Sequence, residues 1–258
     1  MTACLETPSA WRAERDAQKR LGFTLGFVAT MGALHEGHVS LIRRSRAEND
    51  RTLVSIFVNP TQFDDPADLA RYPRPLETDL ELLRAEAVDF VLLPRADQLY
   101  PDGYRYQVTE RDFSTLLEGA HRPGHFDGVL TVVLKLLLIV GADRAYFGEK
   151  DWQQLRLVRG LCEAFFVPTE IVACPTVREA DGLGLSSRNR FLGPEERRKA
   201  PLLYRTLRAA PSAQAASGEL QAAGFAVDYV EDWDGRRLGA VRLGHVRLID
   251  NVPLGDHT

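Results

Sequence analysis

The sequence predicts an α/β protein: a doubly wound parallel sheet followed by a smaller α+β domain. Three observations carry this prediction. Short apolar runs alternate with helix-length amphipathic ones across residues 23–173. These runs are apolar at consecutive positions rather than alternate ones, the pattern of strands covered on both faces. Beyond a polar, loop-like stretch at 174–193, the pattern changes to short strand-like runs separated by Asp234-Gly235 and Gly244-His245, both good turn formers.

Taken in order, Thr7 is a helix N-cap and Pro8 suits the first helical position, so a helix is expected to about Arg20. Strands are expected at 23–29, 52–58, 88–93, 143–147 and 169–173, with helices at 38–48, 76–86, 127–140 and 151–165. Pro194-Glu195-Glu196 opens a further helix reaching about Ala210, and the Ala/Ser/Gln/Gly stretch 210–224 carries little pattern. Strand patterns follow at 226–230, 239–243 and 246–249. The expected domains are 1–176 and 177–258, and no internal repeat is visible.

Composition narrows the function classes. A chain of 258 residues with 45% apolar and 26% charged residues is ordinary for a globular protein. A net charge of −4 gives no basic excess for nonspecific nucleic-acid binding. Three scattered cysteines, Cys4, Cys162 and Cys174, without a Cys-x-x-Cys, point to reduced thiols rather than a disulfide framework or a zinc site. The polar N-terminus shows no secretory signal. The apolar run 128–142 is interrupted by Lys135 and falls short of the roughly 20 residues that span a bilayer. A soluble, cytoplasmic protein is expected, with no membrane partner.

Chemistry concentrates in four places. Met31-Gly32-Ala33-Leu34-His35-Glu36-Gly37-His38 follows the first long apolar run and opens an amphipathic one. Backbone N–H groups at a helix start favour anions, two imidazoles add donors, and Gly37 permits close approach. This reads as a polyphosphate site; a bare His-x-Gly-His also occurs as two surface histidines. Asn59-Pro60 leaves the next strand, placing Asn59 and Gln62 at the ligand-bearing edge or in a simple turn. Gly148-Glu149-Lys150-Asp151 precedes a helix carrying Gln153 and Gln154, which point about 100° apart, so only one of them can share a site with this turn. Leu185-Ser186-Ser187-Arg188 reads as a phosphate clamp or a polar linker. Upstream, Arg122 can engage a carboxylate, and Asp79 on a helix can reach a metal ion or face solvent. The dinucleotide fingerprint, the Walker loop, the Gly-x-Ser-x-Gly elbow and a Cys/His metal set are all missing from the sequence.

The order of these clusters resembles the pantothenate synthetase (pantoate–β-alanine ligase) family, of the HIGH-motif nucleotidyltransferase superfamily, along nearly the whole chain. The matching segments are 30–38, 55–63, 72–74, 121–126, 147–154, 177–183, 185–189 and 247–251. The resemblance implies a Rossmann-like fold and a magnesium-dependent reaction of ATP with pantoate to pantoyl adenylate, which β-alanine then converts to pantothenate and AMP. It implies His35 and His38 at the triphosphate, with His38 as proton donor, and Lys150 as a third catalytic group. ATP contacts fall to residues 31–38, to Gly148, Glu149, Lys150 and Asp151, to Val177 against the adenine, and to Leu185, Ser186, Ser187 and Arg188. Gln62 and Gln154 hold pantoate, with Asn59 and Arg122 nearby, and Asp79 matches an acidic position near Mg²⁺. A homodimer is implied as well.

Three departures stand out. Ala29 replaces the family's usual proline, Thr61 replaces a frequent methionine, and residues 208–246 are fewer than the family pattern leads one to expect. A related transferase without ligation and a noncatalytic nucleotide-binding homologue are the rival readings.

Overall fold

The computed structural model describes residues 2–255. The chain folds as two compact units: one holds the residues up to Gly148 together with Gln153–Cys174, the other Glu149–Trp152 and the residues from Pro175 onward.

The first unit follows the order β1 (Ala3–Leu5), α1 (Pro8–Arg20), β2 (Leu25–Thr30), α2 (Glu36–Glu48), β3 (Arg51–Ile56), α3 (Pro66–Arg71), α4 (Leu76–Ala85) and β4 (Phe90–Leu92). It continues with α5 (Ala96–Leu99), α6 (Glu118–His121), α7 (His125–Val140), β5 (Arg144–Gly148), α8 (Trp152–Ala164) and β6 (Glu170–Cys174). Its sheet is parallel throughout, in the order β1-β4-β3-β2-β5-β6. The chain therefore winds outward from β2 in one direction and resumes at β5 on its other side. In such sheets ligands sit at the carboxyl ends of the strands flanking that reversal, here the ends of β2 and β5.

Neighbouring residues of each central strand serve opposite faces. Phe27, Leu53, Leu92 and Ala145 enter one cluster with Leu130 and Leu137 of α7, while Val28, Val54, Val91 and Tyr146 enter another with Ile42 and Leu83. This explains the consecutive apolar residues in the sequence. The helix predicted from Thr7-Pro8 forms, with the Thr7 side chain accepting from Ala10 N. Strand β1 was not expected. Its three residues form an edge with two of them exposed, too short to show a periodicity.

In the second unit, α9 (Pro194–Lys199), α10 (Leu202–Ala209) and α11 (Ala213–Ala222) precede the antiparallel strands β7 (Ala226–Trp233), β8 (Arg236–Leu243) and β9 (Val246–Pro253). Leu203, Leu207, Leu220, Val241 and Leu248 form its core. The single helix expected over 194–210 is two, because Pro201 lacks an N–H and falls between them. The weakly patterned 210–224 stretch contains α11, started by the Ser212 side chain accepting from Ala215 N.

Trp11 ties α1 to the sheet: it is fully buried, donates from Nε1 to Val140 O at 3.2 Å and meets Phe90 edge-on at 5.3 Å. Trp11→Ala is expected to lower the unfolding free energy by about 3–5 kcal/mol, measured by urea denaturation.

Candidate active site

After β2 the chain turns through two left-handed residues, Gly32 (φ +77°) and Ala33 (φ +50°). Asp79 of α4, 2% exposed, holds this turn: its two carboxylate oxygens accept the N–H groups of Ala33 and Leu34, each at 2.8 Å. A Cβ at position 32 would lie 2.9 Å from Asp79 Oδ2 and 3.1 Å from Ile56 Cγ2, so both the positive φ and the close approach call for glycine. Asp79 was expected beside a metal ion; the structure gives both of its oxygens to the backbone.

The turn delivers His35 in extended conformation to the N-cap of α2. His35 Nδ1 accepts from Gly37 N at 3.1 Å, and His38 Nδ1 accepts from His35 N at 3.3 Å. The ring centroids lie 4.2 Å apart. Because a backbone N–H can only donate, both Nδ1 atoms are unprotonated and the imidazole proton of each ring sits on Nε2. The loop thus presents two Nε2–H donors at the start of a helix, where the helix dipole and unsatisfied N–H groups favour negative charge. Glu36 in the same motif is exposed and pairs with Arg43 at 2.6 Å.

The second element is the 3-10 turn Pro60–Gln62. Asn59, 1% exposed, donates from Nδ2 to Gln62 Oε1 (3.0 Å) and Gly128 O (3.2 Å), and its Oδ1 accepts from Tyr100 OH at 2.8 Å and Thr61 Oγ1 at 3.1 Å. The Asn59 amide is therefore fully engaged with protein, and one of its bonds fixes the Gln62 side-chain oxygen. Burial pushes the Tyr100 hydroxyl up to about 12, so it stays a donor. Gly128 of α7 lets the helix press on the turn; a Cβ there would sit 2.3 Å from Thr61 O.

His125 supports the same turn from behind. An Arg122 guanidinium N–H can only donate, so His125 Nε2 accepts from Arg122 Nη1 at 3.2 Å. Its Nδ1–H therefore donates to Gln62 O at 2.8 Å. This tautomer is the reverse of that in His35 and His38. Burial, reinforced by the Arg122 charge, pushes His125 down to about 4. Arg122, expected to bind a carboxylate, pairs with Asp64 at 3.0 Å. Partial burial works against Asp64 ionisation, but Arg122 still holds it below the usual carboxylate range. A cavity of about 200 Å³ opens here, lined by Thr61, Phe63, Asp64, Tyr104, Gln107 and His125 among others.

The two glutamines of α8 divide as their spacing requires. Gln153 is 3% exposed, accepts from Glu118 N and donates to Phe113 O and Leu116 O. Gln154 is half-buried.

In the second unit, Lys150 Nζ lies 3.8 Å from Asp151 Oδ1 in the Glu149–Asp151 turn that follows Gly148. Leu185 N donates to Val177 O at 3.0 Å, and Arg178 bridges Gly184. Arg178 also makes a two-pronged pair with Asp250 (2.6 and 2.8 Å) and stacks 3.7 Å over Tyr204. Ser186 caps the 3-10 turn Ser187–Phe191, accepting from Arg188 N at 3.3 Å.

Of the expected site residues, Met31, Leu34, His35, Gly37, His38, Gln62, Gln154, Lys150, Val177 and 186–188 are half-buried, Gly32 and Ala33 are buried, and Glu36 and Asp151 are exposed. Asp79, Asn59, His125, Gln153 and Asp250, which hold them or their segments, are buried. Of these supporters His125, Gln153 and Asp250 are not among the expected site residues; His125 falls in the 121–126 segment and Asp250 in the 247–251 segment.

The fold and these loops define a class: an α/β nucleotide-binding enzyme with a His-x-Gly-His phosphate loop. Comparison with known proteins narrows it. The family model described as pantoate-beta-alanine ligase matches residues 3–253. Pantothenate synthetase of Bdellovibrio bacteriovorus is 54% identical over 98% of this chain and 100% of its own length. That of Coxiella burnetii is 48% identical, covering 98% and 97%. The crystal structure of pantoate-beta-alanine ligase from Francisella tularensis, in complex with beta-gamma ATP and beta-alanine, superposes with a TM-score of 0.93 at 39% identity, covering 98% of each chain. The chain belongs to the pantoate–β-alanine ligase family.

The His125 environment predicts a pH effect. Between pH 6.5 and about 4 the unfolded chain binds a proton at His125 that the folded one refuses, so stability falls as pH drops through this window. The loss is on the order of 3 kcal/mol. Urea denaturation at pH 7 and pH 4.5 is expected to show a smaller acid loss in His125→Gln than in the parent.

Proposed function

We propose that this chain condenses pantoate with β-alanine at the cost of ATP, through pantoyl adenylate. The observation that carries this reading is the pair of Nε2–H donors set by the capping box of His35 and His38 at the carboxyl end of β2. In the first step a pantoate carboxylate oxygen bonds to the α-phosphorus and the bond to the β-phosphate bridging oxygen breaks, releasing diphosphate. Negative charge builds on the phosphate oxygens and the leaving group, where fixed donors lower the barrier by about 2.7–4 kcal/mol each. His38 and His35 are assigned that work, with Lys150, Ser187 and Arg188 as further phosphate-binding groups. Gly148, Asp151, Val177, Leu185 and Ser186 are assigned to the nucleotide. In the second step the β-alanine amine attacks the acyl carbon, its excess proton is lost, and AMP departs with the bonding electrons.

Gln62 and Gln154 are assigned to pantoate. Uncharged amides suit its hydroxyls without stabilising the attacking carboxylate in its ground state. Asn59, Arg122 and His125 set the Gln62 turn.

Among the described residues no three His, Cys, Asp or Glu side chains are grouped to hold a metal, and both Asp79 carboxylate oxygens accept backbone N–H groups. Magnesium is assigned to the nucleotide, on phosphate oxygens and water, its usual mode. No helix among the described residues is long and apolar enough to cross a membrane. Cysteines 4, 162 and 174, none of them in a disulfide, suit a reducing, cytoplasmic setting, and a homodimer is proposed from family membership, to be checked by solution mass.

The purified protein given ATP, Mg²⁺ and pantoate is expected to exchange label between diphosphate and ATP, and to form pantothenate only when β-alanine is added. Diphosphate release without pantothenate would instead mark a transferase. His38→Ala is expected to keep the far-UV spectrum and lower turnover at least ~100-fold, as loss of an acid–base or donor group does; a near-parental rate would remove His38 from the mechanism.

A further inference from the structure

The Glu149–Asp151 turn carries Lys150, and one side chain from the far end of the chain holds its backbone. Asn251 of β9, 2% exposed, donates from Nδ2 to two successive carbonyls, Glu149 O at 2.8 Å and Lys150 O at 3.0 Å. Arg236 of β8 donates from Nε to Asn251 Oδ1 at 2.8 Å, and its Nη2 lies 3.3 Å from Glu149 Oε2. Two carbonyls can only accept and a guanidinium can only donate, so the Asn251 amide has one workable orientation. The preceding residue along the strand, Asp250, holds Arg178, which follows Val177. Turn, strand and both arginines belong to the same compact unit.

We propose that Asn251, oriented by Arg236, is a positioning residue for Lys150, fixing where its ammonium meets the nucleotide phosphates. This rests on the role given to Lys150 in the proposed function. Losing both hydrogen bonds frees the turn to move, and a lysine ammonium on a flexible stem works best when its backbone is fixed. Asn251→Asp is the sharpest probe. It keeps size and strengthens attraction to Arg236, but turns a carboxylate oxygen towards two carbonyl oxygens.

The test is a double-mutant cycle on the full chain with Asn251→Ala, Lys150→Ala and the pair, together with Asn251→Asp and Arg236→Met. Two readouts are taken: calorimetric binding of a non-hydrolysable ATP analogue, and the KM values for ATP and pantoate with kcat in diphosphate exchange. Asn251→Ala and Asn251→Asp are each expected to weaken analogue binding roughly tenfold, as loss of hydrogen bonds of this kind does. KM for ATP and kcat should suffer while KM for pantoate stays put, and the double variant should bind no more weakly than Lys150→Ala alone. Multiplying losses in the double variant, parental binding by Asn251→Asp, or an equal rise in KM for pantoate would each overturn the proposal. Should Asn251→Ala not fold, Arg236→Met decides: it keeps the amide but removes what orients it, and unchanged analogue binding there would also overturn the proposal. A parent that binds the analogue but exchanges no diphosphate with pantoate present would sink the proposed function, leaving the binding cycle to judge Asn251.

Discussion

Two hydrogen bonds that the Asp79 carboxylate accepts, from Ala33 N and Leu34 N, are what the histidine loop is built on. A turn through two residues of positive φ is unfavourable for Ala33, by on the order of 1–3 kcal/mol. A buried carboxylate needs donors in compensation. Each satisfies the other, and the result aims the chain so that His35 reaches the N-cap of α2 rather than continuing the strand direction. Move the carboxylate, and the capping box of His35 and His38 loses its starting point.

From there the chemistry follows from which hydrogen-bond partners each imidazole has. His35 and His38 receive backbone N–H groups at Nδ1 and so present protons from Nε2. His125 receives a guanidinium at Nε2 and presents its proton from Nδ1 to a carbonyl. The same residue type therefore carries its ring proton on Nε2 at the start of α2 and on Nδ1 against the Gln62 carbonyl behind the Pro60–Gln62 turn. Burial and the Arg122 charge keep His125 neutral, which preserves its ability to accept and donate at once.

Most of the sheet was legible because consecutive apolar residues leave a strong trace in sequence. Strand β1 was not, since three edge residues with little burial leave none. The expected helix to about Ala210 runs through Pro201, which separates α9 from α10 in the structure. At the site, the half-buried groups lie in contiguous motifs and could be picked out, and the angular argument separating Gln153 from Gln154 matches their different burial. The buried supporters were harder to assign, because their partners are remote: Asp79 lies 46 residues from Ala33, and Asn251 lies 102 from Glu149. A carboxylate on a helix looks the same in sequence whether it faces a metal, solvent or a backbone turn.

The most direct test of the Asp79 account is the magnesium dependence of diphosphate exchange in Asp79→Asn. The substitution keeps the shape but replaces one acceptor by a donor facing a backbone N–H. A loop clamp predicts a lowered maximal rate, by about tenfold or more for a lost charge-assisted hydrogen bond, with the half-saturating Mg²⁺ concentration unchanged and no rescue by excess Mg²⁺. A raised half-saturating concentration, with the parental rate restored at high Mg²⁺, would show instead that Asp79 serves the metal and that the loop is held by something else.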